Sequence, residues 1–410
     1  MSMLDTVWWH VYPLGAVGAL MRGGEAVAAG DVVHRLPHLL PWVDYAADLG
    51  CTGLLLGPVF ASTSHGYDTL DHYRIDPRLG DDADFDALVA RAAERGMGVM
   101  LDGVFNHVGR EHPLVAAFDP HHPHDALIRI VDVDGAARPQ GWEGHGDLVE
   151  LDHGDARVAA LVADVMTHWL RRGIAGWRLD VAYAVAPEFW RDVLARVRAQ
   201  HPDAIFLGEV IHGDYAAIAR AGTLDSVTQY ELWKAIWSAQ VDENLWELAW
   251  ALARHDEFSR ELVTNTFVGN HDVPRIVSTV GDAGAALAAV ILMTVPGMPS
   301  VYYGDEQAFH GVKGEGFEAD DALRPALPAS PDDLDPHGAS MHALYRGLIA
   351  LRRANPWLTR ARMHVVEKTN TAITYSCTGD GHSSTTSLVT GDEASATVTI
   401  DGALALRWPA

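Results

Sequence analysis

The chain has 410 residues and a formal net charge of −25, with 30 Lys and Arg against 55 Asp and Glu. So acidic a protein repels phosphates and anionic lipids, which argues against nucleic acid or membrane as its partner. With 48% apolar and 21% charged residues the composition is that of an ordinary globular protein, and two cysteines, Cys51 and Cys377, exclude a disulfide scaffold.

At ~150 residues per domain the length fits two or three domains, or one large barrel with appendages. The opening MSMLDTVWWHVYP has neither a basic start nor a cleavable apolar stretch, so the cytoplasm is the expected location. In chain order, the first expected strand is Val7–Pro13 and the second Gly53–Gly57. A helix is expected over Asp82–Arg95, where Phe85, Leu88, Val89 and Ala92 share one face and Gly96 ends it. Strand three, Gly98–Phe105, is followed by residues 109–153, rich in Pro, His, Gly and Asp and too long for an ordinary connection. Ala156–Arg172 has a helical apolar stripe, and Ala175–Asp180 is the fourth strand. Pro187 suits the first position of a helix over Glu188–Gln200. Ile205–Glu209, Ser226–Tyr230, Val263–Val268 and Ser300–Tyr303 complete eight strands. The apolar run around Ala285–Val295 is too short to span a bilayer. Beyond Trp357, short strands at Met363–Glu367, Ala372–Cys377, Thr385–Val389 and Ala396–Ile400 suggest a small all-β unit.

Eight strands alternating with helices predict an α/β fold: a (β/α)8 TIM barrel with a short insertion after strand three and a small C-terminal β domain. The expected boundaries are 1–108 and 154–357 for the barrel, 109–153 for the insertion and 358–410 for the C-terminal domain. An open doubly wound sheet gives the same alternation, but no GxGxxG pattern follows the first strand.

Active sites of such barrels form at the C-terminal strand ends, and here those ends are polar. Strand three ends in Asp102-Gly-Val-Phe-Asn106-His107, strand four in Arg178-Leu-Asp180, strand five in Gly208-Glu209 and strand seven in Asn270-His271-Asp272. Convergence of Asp180, Glu209 and Asp272 with two histidines and an arginine suits glycoside hydrolysis, which needs one ionised and one protonated carboxyl. Arg178 lies two residues before Asp180 on the same strand face and is expected to hold it ionised with a low pKa.

The segments DGVFNH (102–107), GWRLD (176–180), GEV (208–210) and VGNHD (268–272) resemble, in order and spacing, the four signature regions of the α-amylase superfamily. The likeness extends to VYP in the first strand, HGYD (65–68) and PGMPSVYYGDE (296–306). It implies that Asp180 is the nucleophile, Glu209 the acid/base, and Asp272 the carboxylate that binds and distorts the reacting sugar. It also implies that His107 and His271 hydrogen-bond sugar hydroxyls and that Tyr67, with Asp68 beside it, forms the platform under the reacting ring. Asp320 and Arg324 resemble a pair that holds the non-reducing end, with a solvated salt bridge as the alternative. Within the superfamily, RLDVAYAVAPEFW (178–190) and GEVIHGD (208–214) are most similar to the cyclomaltodextrinase and neopullulanase group. That group carries an N-terminal β domain, not expected here because the first strand starts by Val7, and usually has Asn-Glu where this chain has Tyr183-Ala184.

The resemblance implies a retaining hydrolase of short maltooligosaccharides or cyclic maltodextrins. A transglycosylase or isomerase on the same scaffold would share every catalytic residue. A non-catalytic relative is disfavoured because all three carboxylates are present. A small α-glucan is the expected partner, with oligomeric state left open. No cofactor or metal is assigned. Many relatives hold calcium between the Asn of the first region and a carboxylate of the insertion; Asn106, Asp119, Asp132 and Asp134 are available, without the spacing of a calcium loop. His121, His122 and His124 read as solvated histidines rather than a zinc site.

Overall fold

The computed structural model describes residues 3–21 and 31–409. Eight parallel strands form the centre: β1 (Trp8–Val11), β2 (Gly53–Leu56), β3 (Gly98–Gly103), β4 (Gly176–Leu179), β5 (Ile205–Gly208), β6 (Ser226–Val227), β7 (Asn265–Phe267) and β8 (Met298–Tyr302). The sheet runs β6-β5-β4-β3-β2-β1-β8-β7, and a bridge between Thr228 and Asn265 joins its two ends. The expected (β/α)8 barrel is the fold observed.

Nearly every strand residue is buried because helices cover the outside and side chains fill the inside, so the strands read as short apolar runs. Trp8, Leu55, Met100, Ile205, Leu207 and Met298 pack together, while Trp9, Leu54, Trp177 and Leu179 join the larger core. The two-residue strand period therefore sets Arg178 on the opposite face from Trp177 and Leu179.

The helix after β2, Asp82–Glu94, begins with a reciprocal cap between Asp81 and Asp84. Those after β3 and β4, Ala156–Arg171 and Pro187–Arg198, start at Asp155 as N-cap and at Pro187. The apolar run near Ala285 belongs to a longer helix than the sequence suggests, Ile276–Thr294, with a break at Gly281. Its 19 residues and mean hydropathy of 1.9 satisfy the length and composition of a membrane span, but 67% of that stretch is buried against the protein.

Strand ends differ from expectation where turns intervene. Pro13 opens a helical turn rather than ending β1, and Tyr230 opens helix Tyr230–Val241 rather than ending β6. A hairpin of Phe60–Ser62 and Thr69–Ile75 follows β2, and its connection carries Tyr67 and Asp68. After β3, His107–Gly109 pairs with His145–Glu150, which pairs with Gly141–Trp142; Ile130–Val133 and Ala136–Pro139 form a separate hairpin. The C-terminal sheet is an antiparallel meander: β9 (Arg362–Lys368), β10 (Ala372–Gly379), β11 (His382–Val389), β12 (Ser395–Ile400) and β13 (Ala403–Trp408). The sequence suggested four of these; β13 is a mostly exposed edge strand, without the half-buried alternation that marks the others.

Candidate active site

Backbone pairing carries the site to the rim of the barrel. Asp180 N–H donates to Gly103 O (3.1 Å) and Glu209 N–H to Leu179 O (2.9 Å), so each carboxylate sits one step beyond its strand. Between them, Val181 adopts a φ of 50°, a strained conformation for a β-branched residue. Its N–H donates to Glu209 Oε2 at 3.0 Å.

Arg178 is the centre of the arrangement. Its Nη1 donates to both Asp102 oxygens at 2.7 Å and to Asp180 Oδ1 at 3.1 Å, and its Nη2 lies 2.8 Å from Glu209 Oε1. All four side chains are buried. One cation thus serves three carboxyl groups, and this reverses the expectation for Asp180. Burial and then the nearby Glu209 push the Asp180 carboxyl well above its usual range; Arg178 opposes them but is shared. Burial likewise raises Asp102 to about 6 against the pull of Arg178.

Tyr230 hydroxyl donates to Glu209 Oε1 at 3.1 Å and accepts from Asn270 Nδ2 at 2.9 Å. Asn270 Oδ1 accepts from Asp272 N–H at 2.9 Å, which links the third carboxylate to the tyrosine that orients Glu209. Asp272 is the most accessible of the three proposed catalytic carboxylates, with 35% of its side chain exposed against 7% for each of the others. Its Oδ2 lies 3.1 Å from His271 Nε2, and its Oδ1 accepts from Arg324 Nη2 at 3.1 Å.

The His271 ring is stacked against both Tyr12 and Tyr67, with centroids 5.8 and 5.4 Å away. Tyr67 hydroxyl donates to Asp102 Oδ2 at 3.1 Å and is in short contact with His271 Nε2. His107 is engaged within the protein at both nitrogens. Nδ1 faces Asn106 Nδ2 at 3.1 Å and Nε2 faces the Tyr67 carbonyl at 3.1 Å, so it holds the Tyr67 backbone. Burial lowers its pKa to about 4, leaving it neutral at pH 7. Asp68 is buried and accepts from Ser64 Oγ at 2.6 Å within the same turn. Trp142 of the insertion lies nearly parallel to the His107 ring at 6.2 Å.

The Asp320–Arg324 pair is no solvated bridge. Arg324 is 4% exposed, donates from Nε to the His271 carbonyl (3.0 Å), and reaches Asp272 and Asp320 (3.3 Å) through Nη2. Lys313 completes this edge, 2.9 Å from Asp320 and donating to the Asp272 carbonyl at 3.0 Å.

Of the calcium candidates, Asn106, Asp119 and Asp132 have hydrogen-bond partners within the protein. Asn106 is buried beside His107, whereas exposed Asp119 binds His122 (2.9 Å) and Asp132 caps a turn at Gly135 N–H (2.9 Å). Among the described residues, three or more imidazole, thiol or carboxylate groups come within reach of a shared ion at exposed His34 and Asp81 with Asp84, far along the chain from these donors.

Sequence reasoning did not assign roles to Asp102, Asn270, Tyr230, Lys313 or Tyr12. Asp102 and Asn270 lie inside the signature segments and Tyr12 inside VYP, so the motifs carried a signal for them. Tyr230 opens the helix after β6 and Lys313 lies in a loop, and the sequence does not show that either turns toward the site.

The catalytic-domain profile of the α-amylase family matches residues 37–124 and 143–344. A cyclomaltodextrinase from Geobacillus thermopakistaniensis is 32% identical over 389 residues, covering 86% of this chain and 64% of its own length. The chain thus spans just under two thirds of that relative. Among solved structures, a cyclomaltodextrinase superposes with a TM-score of 0.81 at 26% identity, over 96% of this chain and 70% of the other. The cyclic α-maltosyl-(1→6)-maltose hydrolase from Arthrobacter globiformis shares the fold, with a TM-score of 0.79 at 24% identity over 94% of this chain and 90% of its own. The matched residues make up well over half of the sequence, and the chain belongs to the α-amylase family through its catalytic domain.

Proposed function

We propose that the protein is a retaining α-glucoside hydrolase that cleaves short maltooligosaccharides or cyclic maltodextrins through a covalent glycosyl-enzyme intermediate. The observation that carries this reading is the shared guanidinium of Arg178, bound to Asp180 at 3.1 Å and to Glu209 at 2.8 Å. A planar fork that grips both carboxyls supports the ~5–5.5 Å spacing of a retaining pair over the ~6.5–9.5 Å of an inverting one.

In this reading Asp180 attacks the anomeric carbon while Glu209 gives its proton to the departing glycosidic oxygen. Glu209 then takes a proton from water, and that water displaces Asp180. Tyr230 suits both halves, because its hydroxyl is able to donate to the carboxylate or accept from the acid while Asn270 Nδ2 holds it. Asp272 and His271 receive the hydroxyls of the reacting sugar, and Arg324 fixes the Asp272 carboxylate. Two observations support small substrates: the similarity to a cyclomaltodextrinase, and the Tyr183 and His212 rings, 5.7 Å apart just beyond Asp180 and Glu209, which add bulk on the acceptor side.

Proton NMR of the first-formed product tests the reading. An α-anomer is expected from an α-glucoside, and a β-anomer would overturn it. Glu209→Gln is expected to lower kcat on maltooligosaccharides by ~10²–10⁴-fold, and far less on an aryl glucoside whose leaving group needs no proton.

The pH profile follows from the raised pKa of Asp180. The attacking form is the carboxylate, so activity falls as pH drops through that pKa. The acidic limb of kcat/KM is therefore expected well above the ordinary aspartate value of ~3.9. A limb at that ordinary value would mean that Arg178 outweighs burial.

A further inference from the structure

His10 lies on β1 within the barrel, and its ring meets that of His271 edge-on, with centroids 5.3 Å apart. Both rings are buried. Two of their nitrogens, His10 Nε2 and His271 Nδ1, have no hydrogen-bond partner in the protein. Buried polar atoms are rarely left in that state. Both histidines line a cavity of about 20 Å³, together with Arg178, Thr228, Asn270 and Ser300. That is enough for one water, which needs ~10–15 Å³ and two to four polar partners.

The protonation pattern on the other side of His271 fixes what this water does. Tyr67 hydroxyl has one proton, donated to Asp102. It therefore accepts at its contact with His271 Nε2, and Asp272 Oδ2 accepts there as well. His271 is neutral, because burial and then Arg178 lower its pKa well below the usual value. Its single ring proton thus sits on Nε2, and Nδ1 carries a buried lone pair that needs a donor.

We propose that His10 is a positioning residue: through one buried water in this cavity it holds His271 in the Nε2–H form, aimed at Asp272 and the sugar hydroxyls. The water donates one hydrogen to His271 Nδ1 and engages His10 Nε2 with its remaining capacity. A proton on Nδ1 instead would point His271's lone pair at Asp272 and at the substrate. The kinetic part of this inference rests on the proposed hydrolase reading; the tautomer and the water do not.

The test uses the full-length protein labelled with ¹⁵N-histidine, with the two rings assigned by substitution. In the wild type without substrate, the His271 nitrogens are expected to show the Nε2–H pattern at neutral pH, and a high-resolution crystal structure is expected to show a water between the two nitrogens. His10→Phe keeps the ring size and removes the partner. It should mix the His271 tautomers and lower kcat/KM about five- to tenfold, as for one lost buried hydrogen bond. His10→Gln supplies an amide at the same place and should recover part of that loss. A packing role predicts the reverse order, with Phe tolerated and Gln harmful. An Nδ1–H or mixed pattern in the wild type, no water in the cavity, or unchanged tautomer and kinetics in a folded His10→Phe protein would each overturn the proposal. If the wild type shows the Nε2–H form and the water but no glucoside is cleaved, the hydrolase reading fails and the positioning role stands.

Discussion

Replacing Asp180 by Asn is expected to abolish turnover and at the same time to stabilise the protein at neutral pH. Loss of the nucleophile should lower kcat by roughly 10⁴-fold or more. The stability gain has a different origin. The folded protein binds the Asp180 proton more tightly than the unfolded chain, because its carboxyl is buried and faces Glu209. Such a group contributes fully to stability below the unfolded value of ~3.9, and that contribution is lost as pH rises through the folded value. At neutral pH the ionised carboxyl is therefore a burden that an uncharged side chain of the same shape removes. The expected gain is read as a higher Tm for the Asn variant at pH 7, and it should vanish near pH 4. Calorimetry of both proteins at the two pH values, alongside turnover, checks both halves. An Asn variant less stable than wild type at pH 7 would show that Arg178 keeps Asp180 favourably ionised.

The parts of this molecule that were legible in the sequence share a physical cause. Barrel strands are buried on both faces, so they appear as short apolar runs, and a polar residue among them stands out. Arg178 within Gly176–Leu179 is such a residue, as are Asp180 and Glu209 at the ends of their runs. The hairpin that carries Tyr67 was not legible. Thr69–Ile75 reads TLDHYRI, half exposed, and its pairing with Phe60–Ser62 shifts register twice. The Asp180 pKa was misjudged because local spacing shows that Arg178 is near, but not that Asp102 and Glu209 share the same guanidinium. Arg324 was ambiguous for a related reason. Its i,i+4 spacing to Asp320 is that of any surface pair, and only the fold buries it over the Tyr12 ring at 4.4 Å.

Arg178→Met is expected to be more damaging than the loss of any one carboxylate it binds. Methionine keeps much of the stem volume but leaves Asp102, Asp180 and Glu209 clustered without a counter-charge. Removing one partner of a buried ion pair costs about 3–5 kcal/mol, because the remaining charge stays desolvated. The sign with pH follows from Asp102 and Asp180, both raised by burial even in the presence of Arg178, Asp102 to about 6. Without the arginine their folded values rise further, so the folded state gains protons more readily than the unfolded chain as pH falls. The stability gap between variant and wild type should therefore be widest above pH 7 and narrow progressively on acidification as these carboxyls become neutral. Asp102→Asn added to Arg178→Met should restore part of the lost stability at pH 7, since it removes one of the uncompensated charges. Thermal unfolding of wild type, both single variants and the double variant across pH measures that coupling directly. A gap independent of pH, with no rescue by Asp102→Asn, would mean that Arg178 acts through the packing of its stem rather than its charge.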